Sequence, residues 1–411
     1  MNLFKNKNFV IMWFGQLATI FGNRFSEIAI PLIVLQLTGS AWQAALVVVC
    51  SQVAPVIMSL PVGTWVEGKS KKLIALSAEA ISFTTMALIV FFVWLDQLNI
   101  WILAGGLFVL GATGLFFRVA FGAMVPGVVG RKRLINAHSY FEGADAFSTF
   151  IGPVLAGIVL SSFGVAAVLT VDAFTYFISF LGILFLSFKE DKTISTRKQS
   201  TKKTYISSIK SFKYLIGNHY QSFITLHHGI LNFTTTAVTL TIIIYTSQTL
   251  HFSEWQIGMV LSAAGVGNII GVLLMNKLSC YKWKCLYAGL MIVSSIGLLL
   301  ILLASNLPII MLGMFLFDGA LSMAFIVNGT ARQAVTPDNY LARIGAGGIL
   351  LSGVVAISGN LFSGGLAEAI APEFPLAFCM FLLLVATIIS ISFKKGSKKL
   401  EDLKPVEFND F

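Results

Sequence analysis

Apolar positions in this chain come in long unbroken runs separated by short polar breaks. The runs lie at about 9–37, 42–65, 73–94, 100–123, 137–160 and 166–187, then, after a polar stretch, at 219–247, 254–275, 284–304, 308–331, 343–368 and 374–393. At about 1.5 Å per residue, each can carry a helix across roughly 30 Å of hydrocarbon. The pattern predicts an all-α membrane protein of twelve transmembrane helices. The first run is too long for the apolar core of a signal peptide and no small-residue cleavage site follows it, so it is expected to be retained.

Residues 188–218 are polar, basic and rich in Ser and Thr. They divide the chain into an N-terminal six-helix bundle (1–187) and a C-terminal one (219–393), followed by a tail (394–411). Part of the connector is expected to lie on the membrane as an amphipathic helix.

Composition agrees with this. Hydrophobic residues make up 56% of the 411 and charged residues only 11%, where a soluble chain carries about a quarter. A formal charge of +10 could suggest nucleic acid, but its distribution argues otherwise. With the N-terminus inside, 26 of the 28 Lys and Arg fall in inner segments. Arg24 and Arg118 lie within spans, and the six outer loops hold none. One miscounted helix would invert the alternation from that point on. Both termini are therefore expected in the cytoplasm of a bacterial cell membrane, with the basic loops facing anionic lipid headgroups. The partners expected are the bilayer, protons and a small amphipathic substrate; nucleic acid is not, and the chain is expected to act as a monomer.

Cys50, Cys280, Cys285 and Cys379 are scattered and fit neither a disulfide framework nor a zinc site. No metal or cofactor is expected. A phosphate-binding glycine-lysine loop is absent, which argues against ATP as the energy source. An enzyme is not expected either, since no compact His/Cys/carboxylate or Ser/His constellation stands out.

The halves echo each other. Ser40-Ala-Trp42-Gln43 opens the second span and Ser253-Glu-Trp255-Gln256 the eighth; Val125-Pro126 follows the fourth and Thr336-Pro337 the tenth. Parallel six-helix repeats of this kind place a substrate site between the halves.

Four stretches carry a family resemblance. The second span ends in Gly63-Thr-Trp-Val-Glu67-Gly-Lys69-Ser-Lys71-Lys72, which resembles the loop signature of the major facilitator superfamily in charge, with Glu67 where Asp is usual. A glycine there allows close helix approach, and the acid with Lys71 and Lys72 implies a conformational latch; a loop that only sets topology is the plainer reading. Gly152-Pro153-Val-Leu-Ala156-Gly157 in the fifth span looks like the glycine-proline motif of the antiporter branch, expected to kink the helix. The runs from Gly22 to Pro31 and from Phe117 to Pro126 resemble the drug-antiporter subgroup that includes macrolide-efflux proteins and siderophore exporters. In the second half the loop motif is eroded: Asn276 and Lys277 stand where an acid would be expected.

Ionisable residues inside a span cost about 2.5–3.5 kcal/mol each and need a reason. On the first helix Gln16, Asn23 and Glu27 share a face at about 100° per residue, and Arg24 can reach Glu27 at i,i+3 spacing. Glu27 is the leading candidate for proton coupling or substrate contact, against a purely structural Arg24–Glu27 pair. Asp145, with Glu142 one turn earlier, lies in the inner half of the fifth span; Arg118, near the inner end of the fourth, can pair with Glu142 or Asp145 or snorkel to the headgroups. Asp172 heads a stripe with Thr175, Tyr176 and Ser179, and Asp318 lies near mid-span in the tenth helix. His227 and His228 are adjacent and cannot share a face, which argues against a metal pair. The function expected is proton-coupled export of a drug-like or macrolide-like molecule by alternating access. Siderophore export and lipid-precursor flipping on the same fold are the alternatives.

Overall fold

The computed structural model describes residues 3–67, 69–130, 133–187, 218–278, 281–399 and 402–403. The surface helix expected within the connector lies outside them. Every long element is a helix, and β-structure among the described residues is limited to one isolated bridge between Lys282 and Lys399.

Polar caps mark where the spans begin. Helix α1 (Lys7–Thr38) starts at Asn6, whose side chain accepts from the amides of Asn8 and Phe9, and ends at Gly39 in the left-handed region with φ 68°. Helices α2 (Ala41–Glu67), α3 (Lys71–Trp94, capped by Ser70) and α4 (Ile100–Val129, capped by Asn99) follow.

Next comes one helical stretch of 52 residues, Leu134–Phe185, about 78 Å if straight and far longer than a bilayer needs. It breaks at Gly164, where φ is 76° and ψ is −179°, a conformation open mainly to glycine. The partners of α1 show that the chain reverses there. Trp13 meets Tyr140 and Arg24 meets Asp145 and Thr149, so the arm 134–163 (α5) runs parallel to α1. Asn8 meets Ser187, Asn23 meets Tyr176 and Ser26 meets Asp172, so the arm 165–185 (α6) runs antiparallel. The stretch therefore makes two passes.

Helix α7 (His219–Ile244) continues into a π turn at Tyr245–Thr249. Then come α8 (Glu254–Leu278), α9 (Trp283–Leu303), α10 (Leu307–Val335), α11 (Asp338–Ala369) and α12 (Glu373–Ser392). With α5 and α6 counted separately, the described residues make twelve passes. The main differences from the apolar runs are at α4, which continues past Pro126 to Val129, and α11, which already begins at Asp338.

The chain forms two compact units. The first holds α1–α6 together with Phe252–Met259; the second holds α7 and the chain from Val260 onward. The same packing scheme recurs in each: α3 on α4 and α9 on α10, α1 on α5 and α7 on α11, α3 on α6 and α9 on α12. Inside the units sit large side chains such as Phe9, Met124, Trp283, Tyr287 and Phe317. Outward-facing ones stay bare, with Trp101 82% and Leu303 78% exposed, as lipid contact requires. Trp94 and Trp101 flank the α3–α4 loop, in the manner of interfacial anchors.

Candidate transport site

The polar face of α1 meets polar groups on α5 and α6. Arg24, near the middle of its span, donates through Nη1 to both oxygens of Glu27, at 3.1 and 2.8 Å. Its Nη2 donates to Asp145 Oδ1 at 3.2 Å and Thr149 Oγ1 at 2.8 Å. The paired reading of Arg24 and Glu27 thus holds but is incomplete, because one guanidinium serves two carboxylates on two helices. Arg118, the partner considered for Asp145, is exposed and makes no ion pair with a described residue. Arg24 can reach α5 because of Gly152: a Cβ there would lie 2.8 Å from the Arg24 Cβ. The motif glycine accommodates a charged side chain. In the same unit a Cβ at Gly157 would lie 2.5 Å from the Glu254 carbonyl oxygen.

Arg24 is largely covered, whereas the side chains of Glu27 and Asp145 are 59% and 51% exposed. Ionised groups in mid-span that are not covered by protein must face water, since facing lipid costs several kcal/mol. With both acids ionised the cluster carries one net negative charge.

A second, buried layer lies on the α6 side of α1. Ser26 donates to Asp172 Oδ2, and Thr175 donates to the Asp172 carbonyl at 2.7 Å. Tyr176 donates to Asn23 at 3.0 Å. Gly22 leaves room for this meeting, because a Cβ there would collide with Thr175 and Asp172. Ser179 closes the stripe by donating to Glu79 Oε1 of α3 at 3.0 Å. Gln16 lines a cavity of about 10 Å³ with Gly15, Phe121 and Ser179, and its buried Oε1 has no partner among the described residues. The α1 face read from the sequence therefore turns Gln16 and Asn23 toward α6.

Glu79 is absent from the sequence-derived set. It stands two turns beyond Lys71 and Lys72 in KKLIALSAEAISF and reads as part of a charged helix end. It is in fact 98% buried, Asp172 entirely so.

The other sequence-derived residues lie apart from this site. Asp318 of α10 accepts from Asn268 of α8 at 2.8 Å. His227 donates to the Phe223 carbonyl at 2.9 Å and lies 2.8 Å from Ser390 of α12, while His228 lies 2.6 Å from Ser352 of α11, so the two diverge. No group of three metal-ligating side chains occurs among the described residues. Arg332 of α10 has buried Nε and Nη2 atoms without hydrogen-bond partners among the described residues. At the loop motif, Lys72 donates to the carbonyls of Leu184 and Leu186, capping the end of α6, and Lys69 stacks 3.3 Å over Trp65. The side chain of Glu67 lies outside those described, and with it the acidic half of the expected latch, as does the packing around Gly63.

Twelve passes among the described residues, in two units that repeat one packing scheme, are the architecture of a polytopic membrane transporter. The Major Facilitator Superfamily model matches residues 12–347, and the chain belongs to that family. Among curated proteins it is 26% identical over 330 residues to the enterobactin exporter EntS of Salmonella typhi, covering 77% of this chain and 75% of that one. It is 25% identical over 183 residues to the multidrug efflux pump Tap of Mycolicibacterium fortuitum, covering 42% and 44%. Among solved structures, a bacterial homologue of the lysosomal transporter Spinster in an inward-facing state superposes with a TM-score of 0.76 at 12% identity, covering 97% and 99%. A bacterial homologue of the iron transporter ferroportin does so with 0.73 at 14%, covering 97% and 100%. Fold and family are those of transporters rather than of enzymes, and the chain is a multi-pass membrane protein.

Proposed function

We propose that this protein exports an amphipathic small molecule from a bacterial cell by alternating access, in exchange for protons. The observation that supports this is the Arg24–Glu27–Asp145 cluster, two exposed carboxylates around one covered cation in mid-span. A water-facing lining with net negative charge attracts cations, which favours an amphipathic cation of the drug or macrolide kind. The names of two relatives, an exporter and an efflux pump, point the same way for direction. Glu27 is the residue whose proton exchange we couple to substrate movement, with Asp145 sharing its cation. We take the bundles as 1–187 and 219–393, joined by the connector 188–218, with both termini in the cytoplasm.

Siderophore export is the second reading, supported by the similarity to the enterobactin exporter along three quarters of both chains. An anionic cargo would meet repulsion at Glu27 and Asp145, which places it second.

Everted vesicles test the proposal. Acidifying the lumen should drive accumulation of erythromycin or ethidium, and a protonophore should abolish it. Glu27→Gln should insert normally yet lose gradient-driven accumulation. Wild-type rates in that variant would remove Glu27 from the mechanism, and accumulation that ignores the gradient would refute antiport.

A further inference from the structure

We propose that Glu79 and Asp172 form a second proton-holding site, buried behind α1 and exchanging protons with water through the small cavity at Gln16 and Ser179. This rests on the reading of the protein as a proton-coupled transporter and assigns part of the coupling to residues away from the exposed cluster.

Burial and partners carry the argument. Glu79 is 2% exposed and Asp172 is 0% exposed. Among the described residues neither has an ion-pair partner. Glu79 Oε1 has the hydroxyl of Ser179 at 3.0 Å, and its other oxygen, Oε2, is buried with no partner. Asp172 has the hydroxyls of Ser26 and Thr175. Hydroxyls satisfy a neutral acid, but they do not offset the cost of an isolated charge taken out of water.

The charged and titratable surroundings agree. Asp172 and Glu79 are within electrostatic reach of each other, and Tyr176 is within reach of both. From α1, Glu27 is within electrostatic reach of Asp172, while Arg24 is turned to Glu27 and Asp145. From α4 the polar neighbour is the Thr113 hydroxyl, held by Ser82 one turn from Glu79. No cation among these groups is directed at the pair, and two anions so placed would repel.

A route for the proton is visible in the packing. Ser179 bonds Glu79 and also lines the cavity of about 10 Å³, where Gln16 Oε1 supplies a free acceptor. That is room for about one water with two or more polar neighbours. Ser179 stands between that water and Glu79: its Oγ takes the proton released by the acid while its own O–H proton passes to the water, leaving a carboxylate, and the reverse transfer restores the acid.

Two measurements test this on the purified, membrane-reconstituted protein and on everted vesicles. Infrared difference spectra of wild type minus Glu79→Gln and wild type minus Asp172→Asn, at neutral pH, should each show the loss of a carboxylic-acid C=O band. Both replacements keep the shape of the neutral acid, so both proteins should fold and still allow erythromycin or ethidium to run down its own gradient. Accumulation driven by a pH gradient should fall to the level of empty vesicles. Carboxylate bands in the difference spectra overturn the proposal, and so does gradient-driven accumulation at wild-type rates in both variants. A wild type that ignores the pH gradient refutes the transport reading itself, and the proton-carrying role with it.

Discussion

Gly22→Ala tests how tightly the buried layer is built. A methyl group at position 22 would collide with Thr175 Oγ1 and Asp172 Oδ1 and lie 3.2 Å from Thr175 Cβ. Helices α1 and α6 cannot simply part, because Ser26 holds Asp172 and Asn23 holds Tyr176 on the neighbouring turns. Overpacking of this kind costs about 1–3 kcal/mol. If the strain is relieved by turning Asp172 away from Ser26, the lost bond to a buried acid adds about 1–3 kcal/mol. Unfolding by SDS titration in mixed micelles reads the loss. Thr175→Ala removes one of the two obstacles, so Gly22→Ala should cost less in that background, with a coupling of about 0.5–3 kcal/mol. Gly114→Ala is the control: no atom lies within 4 Å of a Cβ there, and the change should stabilise by about 0.5–1 kcal/mol. A Gly22→Ala protein that unfolds at the wild-type SDS fraction would refute the packing argument.

Two more outcomes follow from other parts of the molecule. Arg332→Met should raise the thermal midpoint of the purified protein, since it removes a cation whose Nε and Nη2 are shielded and unbonded among the described residues; a lowered midpoint would show that Arg332 is satisfied in a way these contacts omit. Cys285, exposed near the start of α9, should react with a membrane-impermeant maleimide in everted vesicles but not in whole cells, and labelling of whole cells would reverse the orientation proposed for the chain.

The spans were readable because hydrocarbon imposes a length and a polarity that twelve runs satisfy. The gap between the fifth and sixth runs marked a break but not that Gly164 alone makes the turn. On α1, helical periodicity was enough to group Gln16, Asn23 and Glu27 and to pair Arg24 with Glu27, since all of these relations lie within one helix. Relations between helices were harder. The sequence leaves Arg118 open to Glu142, to Asp145 or to the headgroups, whereas the axial register of α1 on α5 puts Asp145 on Arg24. Gly152 read as part of a kink, because the sequence does not show which side chain crosses it. Glu79 was hidden by its nearness to Lys71 and Lys72, since apolarity along a chain does not reveal which acid faces another helix.

A one-residue turn also has a mechanical consequence. Because Gly164 is the whole connection between α5 and α6, the two arms have no slack to slide apart. Both also grip α1, one through Arg24 and the other through Ser26 and Asn23. The three helices therefore form a single stiff lever carrying Glu27, Asp145 and Asp172. Whatever displaces one of these acids displaces the others, so the proposed substrate contact at the exposed cluster and the proposed proton site behind it belong to one rigid part.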